Sequence, residues 1–330
     1  MAERIAIIGA GVSGLTCGVL LAEAGFETKI LAEEVGPQTT SAAAGAIWYP
    51  YDAEPAAPVI AWSLRTFEVL RELSGNSSRG VSMLELRVFS RLGQIEIPEW
   101  AVSLGADRLP RSAVRDCFKS GFALHVPLTD TSIYLEYLAQ RFRRAGGRIE
   151  ADVLFNDLQQ VPRDFSFIIN CTGIGARTLV PDCDLEPHRG QVVLVARPEV
   201  PYAVVCDDPP LMYSIPRAND CVFGGTNEIS ENRSPDPATT AAIVAECSRV
   251  LGIESPGIIG ECVGLRPYRR TGIRLERESL SDSRVVVHNY GHGGSGFTLS
   301  WGCAEEVLTV VRRTFSEAGL SASGDRSPPL

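Results

Sequence analysis

Residues 4–14 read RIAIIGAGVSG, and the fold turns on how this stretch is read. Arg4 to Ile8 is a short apolar run of β character closed by a glycine. Val12, Leu15, Val19 and Ala22 then recur at helical spacing, which predicts a helix over 12–24. Gly25 stops it, as glycine does just past a helix C-terminus. ETKIL at 27–31 reads as a second strand, and the acidic pair Glu33 and Glu34 follows it. The result is a β-α-β unit about 30 residues long.

Within it, Gly9-x-Gly11-x-x-Gly14 sits between the first strand and the helix, and Glu33 stands about 20 residues past Gly14. A lone G-x-G-x-x-G says little, but this context makes it a dinucleotide fingerprint. Gly9 makes the tight turn, Gly11 lets backbone approach a pyrophosphate, and Gly14 lets the helix pack against the sheet. The residues between them, Ala10, Val12 and Ser13, present N–H groups at the helix N-terminus to phosphate. Glu33 is placed to accept from a ribose. The motif serves FAD and NAD alike. Its place at the N-terminus, with no second nucleotide unit downstream, favours FAD.

Beyond this unit the texture changes. Residues 36–58 are rich in Pro, Ala and Thr and read as loop with a helical turn, and 59–73 as helix. A strand is expected over 84–92. A helix is expected over 132–145, capped by Thr131 or Ser132, and FIIN at 167–170 reads as a buried strand. Short strands crowd 189–227 in antiparallel style. A helix at 237–250, a strand ending at Pro267, a strand RVVVHNY and a long final helix complete the pattern. The polar tail from 318 to 330 is expected to be disordered. No internal repeat is present. The fold class expected is α/β (α+β overall), a Rossmann-like FAD-binding domain with a mostly antiparallel β-sheet substrate domain. The expected division is 1–80, 131–185 and 262–330 for the first, and 81–130 and 186–261 for the second.

Composition narrows the function classes. A 330-residue chain with 45% hydrophobic and 22% charged residues carries a core of ordinary size for two lobes. A net charge of −9 opposes nucleic-acid or anionic-membrane partners. Nine cysteines, an odd number with no C-x-x-C, argue against a metal site and for a reducing cytoplasm. No secretory signal or run of about 18 apolar residues is seen, so the sequons at Asn76 and Asn232 carry no weight.

Three other stretches carry chemistry. GPQTTSAAAGAIWYPY (36–51) offers Thr39, Thr40 and Ser41 to phosphate or ribose, and small residues to a flat ring. It reads equally as a surface loop with a hydrophobic plug. In GLRPYRR (264–270) an Arg266 fork suits a carboxylate, while Arg269, Arg270 and Arg274 read as solvated. Tyr213 lies in an apolar strand, where its hydroxyl wants a partner. HNYGHGGSGFTLSWG (288–302) contains five glycines. Ser295 fails as an esterase nucleophile, because Phe297 stands where G-x-S-x-G needs glycine. A strand, a glycine turn and a helix N-terminus, where backbone touches a ligand, fit better.

The combination resembles the D-amino acid oxidase family, FAD-dependent flavoenzymes that include D-aspartate oxidase. VVHNYGHGGSGFTLSWGCA matches its signature. GAGVSG, TTSAAAGAIWYPY, INCTGIGA, RGQ, YSIP and GLRPYRR agree in order, over roughly residues 4–313. The resemblance implies that Arg266 and Tyr213 bind the substrate α-carboxylate and that the Gly294 carbonyl accepts from the substrate amine. It implies that Gly293, Gly294, Ser295, Gly296, Phe297 and Thr298 surround the flavin's polar edge, with Thr298 donating to it. Ala46 and Ile47 would lie along the ring. Gly9 to Gly14, Glu33, Glu34 and Thr39 to Ser41 would hold the ADP part, with Val153 near the adenine. The implied reaction passes hydride from Cα to flavin N5, and the imine then hydrolyses to a 2-oxo acid and ammonia while O₂ becomes H₂O₂.

The chain departs from the family in places. CDDPPLMYSIP is short where mammalian members carry a longer lid, which points to an open site. Tyr51 stands where D-aspartate oxidases tend to have histidine. With Ile47, Tyr49 and Ile215 it would line a pocket for neutral, apolar side chains. The family's peroxisomal tail is absent, which points to a cytosolic enzyme. The implied partners are a D-amino acid and O₂, and a homodimer is allowed. Alternatives are a D-aspartate or glycine-type amine oxidase, a silent flavin-binding module, and a nicotinamide dehydrogenase.

Overall fold

The computed structural model describes residues 4–51 and 53–323. Two sheets organise them. The smaller has six strands, in the order Arg274–Ser279, Val285–Tyr290, Phe167–Asn170, Arg4–Ile8, Glu27–Leu31, Arg148–Glu150. Its inner pairings are parallel, with Ile7 between Ile30 and Ile169, and the Arg274–Ser279 edge is antiparallel. A parallel sheet is covered on both faces, which explains the unbroken apolar run of Arg4–Ile8. Ile5 and Ile7 are fully buried, each stabilising the core by about 2 kcal/mol. The helix Val12–Glu23 follows the first strand, and Glu27–Leu31 returns parallel to it, as the fingerprint requires. The α/β class expected from the sequence holds.

The larger sheet has nine strands and is antiparallel except where Val81–Ser90 runs beside Ala203–Cys206. Its longest pairing joins Leu185–Ala196 to Ile258–Arg269. The sequence reading ends the latter strand at Pro267, yet it continues to Arg269. Pro267 faces Pro187, so neither proline is asked for an N–H. The Pro267 carbonyl instead accepts from Gly293 N at 2.9 Å, tying this sheet to the glycine turn of the other. The strand expected over 84–92 begins three residues earlier and ends at Ser90.

Caps also differ in detail. The helix Thr131–Arg144 is capped by Asp130, whose carboxylate accepts from Ser132 N at 3.2 Å. Thr131 is occupied elsewhere, donating to the Ala42 carbonyl. Asp236 caps Pro237–Leu251 by accepting from Thr239 N. The final helix spans Gly296–Ser323 and so runs into the segment expected to be disordered from 318. Residues 324–330 lie outside the described ones. Among the described residues no helix is long and apolar enough to cross a membrane.

Candidate active site

The two sheets enclose one elongated cavity of about 570 Å³. The fingerprint turn forms its floor. Gly9 has φ +106°, and a Cβ there would stand 2.5 Å from the Cys171 carbonyl oxygen, so only glycine makes this turn. A Cβ on Gly11 would stand 3.0 Å from Ser41 Oγ, which accepts from Val12 N at 2.9 Å. With glycine at 9 and 11, no Cβ from either residue covers the turn's backbone on its cavity side. Gly14 lies beneath the floor, packed on the Gly9 carbonyl, and does not line the cavity.

At one end Glu33, Glu34 and Val153 line the wall. Glu34 is not solitary: Arg233, from the larger sheet's side, pairs with it at 2.6 Å. The loop carrying Arg233 is held from below. Buried Arg189 donates to the carbonyls of Asn232 and Ser234, on either side of Arg233, and to Gln191 Oε1. Gln191 in turn accepts from Asp236 N. The RGQ segment thus acts as a brace for a residue the sequence reading overlooked. No local signal marked it, since an Arg-Gly-Gln strand segment is common by itself.

The loop 36–51 lines the cavity and also carries a hydrophobic plug. Thr40, Ser41, Ala46 and Ile47 line the cavity, while Trp48 is buried and donates to the Ser63 carbonyl. Thr39 also lines it, but its hydroxyl donates to Gly36 O at 2.8 Å. Ala46 holds φ +53°, a costly backbone for a residue with a Cβ. It is kept there by Thr129, whose N and Oγ1 both donate to its carbonyl.

At the other end the Arg266 guanidinium lies over Gly190 and donates to the Thr226 carbonyl at 2.9 Å. Tyr213 packs into the space over Gly224, its partner across the strands. Burial pushes the Tyr213 phenol up, against the opposing pull of the neighbouring Arg266. Gly294 sits between Tyr51 and Arg266: a Cβ there would meet Tyr51 Cδ1 at 2.8 Å and Arg266 Cδ at 3.7 Å. The Tyr51 and Tyr49 rings stack, with centroids 6.5 Å apart, and Tyr49 donates to Asp207 Oδ2 at 3.2 Å. Ile215 lines the same end and touches Gly45.

The glycine turn is placed as backbone, not as side-chain chemistry. Gly293, Gly294, Gly296, Phe297 and Thr298 line the cavity, while Ser295 is fully buried and does not. Ser295 Oγ accepts from Tyr51 N at 2.8 Å and donates to the Tyr51 carbonyl. The Thr298 hydroxyl likewise donates to Tyr49 O and accepts from Tyr49 N. Both hydroxyls clamp the tyrosine loop and spend their single proton on it. His292 is buried and pushed down to about 4, hence neutral, and bonds Asn289 Oδ1 at 3.0 Å. The arginines read as solvated divide. Arg269 pairs with nearly buried Asp182, and Arg274 bonds Tyr290, while Arg270 remains exposed.

This arrangement has a glycine cradle, an acidic end and a second end holding an arginine fork, and the sequence that builds it matches a known family. The family model described as FAD dependent oxidoreductase covers residues 4–309. The chain belongs to that family. Among curated relatives of this FAD-dependent oxidoreductase, the D-amino-acid oxidase of Rubrobacter xylanophilus is 39% identical over 319 residues, covering 95% of this chain and 97% of the relative. That of Streptomyces coelicolor is 40% identical over 317 residues, covering 93% and 96%. The fold is shared with glycine oxidase from Geobacillus kaustophilus, with TM-score 0.80 at 17% identity over 94% of this chain and 95% of that one. FAD is the cofactor of this family. The turn at Gly9 and Gly11, which carries no Cβ at either position, and a cavity lined both by Glu33 and by the glycine turn at 293–294 suit an FAD molecule.

Proposed function

We propose that this flavoprotein oxidises D-amino acids to 2-oxo acids, with ammonia and H₂O₂ as the other products. The observation that carries the reading is the pairing of Arg266 with Tyr213 beside the bare backbone of Gly294 at one end of the cavity. When bound, FAD supplies the two-electron acceptor. The residues proposed to hold it are Gly9 to Ser13, Glu33, Glu34, Thr39 to Ser41, Ala46, Ile47, Val153 and the backbone of Gly293, Gly294 and Gly296 to Thr298.

The protein's own part is binding and orientation. Arg266 donates to the substrate α-carboxylate. Its bond to Thr226 O and its rest on Gly190 keep the fork in one plane before the substrate arrives. Tyr213, kept a neutral phenol by burial, donates to the same carboxylate. The Gly294 carbonyl accepts from the substrate amine. Tyr49, Tyr51, Ile47 and Ile215 enclose the side chain and exclude water, which favours neutral, apolar substrates.

A cytoplasmic setting forms part of the proposal, supported by the nine cysteines remaining as free thiols. So does the two-lobe division near 80, 131, 185 and 262. Every strand of the smaller sheet falls within the segments assigned to the nucleotide lobe, while Ile258–Arg269 straddles the last boundary. The deciding experiment is a peroxide assay of the holoenzyme over a panel of D-amino acids, with L-enantiomers and glycine as controls. D-enantiomers alone should give peroxide. A yellow protein that no D-amino acid bleaches without oxygen would overturn the reading.

A further inference from the structure

We infer that Asp207 sorts substrates by side-chain charge, rejecting acidic side chains while admitting, beside the apolar ones, those that end in a cation. The inference deepens the D-amino acid reading and rests on it. Four contacts fix where Asp207 stands. Arg266 and Tyr51 both flank Gly294. Tyr51 stacks on Tyr49, and the Tyr49 hydroxyl donates to Asp207 Oδ2. The carboxylate therefore lies on the same aromatic wall as Arg266, past both tyrosine rings, and it lines the cavity. A substrate held at Arg266 by its α-carboxylate directs its side chain along that wall toward Asp207.

Its neighbour Asp208 is not part of this surface. Asp208 accepts from Ser90 Oγ and Arg91 N, both at 2.7 Å, and does not line the cavity. Asp207 begins the short CDDPPLMYSIP connection, directly after Ala203–Cys206, the strand whose Val205 lies opposite Tyr213. Strand pairing thus fixes the carboxylate relative to the fork. Among the described residues that line this end of the cavity, Arg266 carries positive charge and Asp207 negative charge. An acidic side chain meets like charge, whereas an ammonium or guanidinium finds a partner. Asp207 is exposed, so the discrimination is modest, on the order of tenfold.

The test compares wild-type holoenzyme with Asp207→Asn. Hexanoate, 6-aminohexanoate and adipate, which are not oxidised, are titrated and their binding is followed by the change in flavin absorbance. These acids share a length and differ in the charge at the far end. In the wild type 6-aminohexanoate should bind at least ~tenfold more tightly than adipate, and Asp207→Asn should remove most of that ratio. The kcat/KM ratio of D-lysine to D-glutamate should shrink in parallel. Tyr49→Phe, which removes the hydrogen bond but keeps the charge, should retain the ratio. An enzyme that oxidises D-norleucine but shows the same ratios in wild type and Asp207→Asn overturns the inference and leaves the D-amino acid reading standing. Absence of turnover with any D-amino acid overturns the reading beneath it.

Discussion

The Arg266 guanidinium occupies the space that a side chain on Gly190 would need: a Cβ at position 190 would stand 2.4 Å from Arg266 Nη2 and 2.5 Å from Cζ. The two residues lie on adjacent strands, Gly190 paired with Gly264 and Arg266 with His188. Gly190→Ala must therefore displace the fork without touching the fingerprint. It should keep its FAD and lose at least ~tenfold in kcat/KM, mostly through KM, because a planar fork tolerates little displacement. Arg266→Ala should lose at least ~100-fold, since the substrate carboxylate loses its charged partner. Steady-state kinetics on yellow, folded protein checks both, and near-native turnover of Arg266→Ala would sink the assignment.

Ser295 is a clamp. Replacing it with alanine removes the hydroxyl that bonds both the Tyr51 N–H and its carbonyl, which should cost about 1–3 kcal/mol and lower Tm by several degrees. Activity should fall only in so far as the Tyr51 ring shifts. A variant with unchanged Tm and abolished flavin reduction would contradict the clamp and revive a chemical role.

His292 couples stability to acid. Burial lowers its pKa from 6.5 to about 4, so the unfolded chain binds the extra proton first as pH falls. Stability contributed by the neutral ring is complete above about pH 6.5 and is lost progressively as pH drops toward 4, by about 3 kcal/mol in all. His292→Gln should flatten this part of the curve in denaturant titrations between pH 4 and 7. The same neutrality predicts no inflection from His292 in a pH–rate profile above pH 6.

The Glu34–Arg233 pair bridges the two sides of the cavity mouth, and both side chains are partly in water, at 34% and 53% exposure. Such pairs contribute about 1 kcal/mol or less. Arg233→Ala should therefore weaken FAD binding by no more than ~fivefold, an effect that high salt should erase. Fluorescence titration of the apoprotein at two ionic strengths reads it. A loss of a hundredfold would mean that Arg233 touches the nucleotide itself.

The sequence alone determined the local parts of this protein. The fingerprint, its strand and its helix were legible because their signals, glycine spacing and apolar periodicity, act within 30 residues of each other. The glycine turn was legible as backbone chemistry, since Phe297 excludes the nucleophile reading on spacing alone. What the tertiary structure decided was which polar groups remain free for a ligand. Ser295 and Thr298 carry hydroxyls of the right type at the right turn, yet both are claimed by a tyrosine loop more than 240 residues away in the chain. Asp207, Gly190 and the Arg189 brace bear no local signature. A carboxylate at a strand end, a glycine in a strand and an arginine beside a glutamine are common alone. They acquire meaning only when strand pairing sets them against Tyr49, Arg266 and Arg233. Hydrogen bonds are consumed by whichever partner packing brings nearest, and that partner is set by the fold rather than by proximity in sequence.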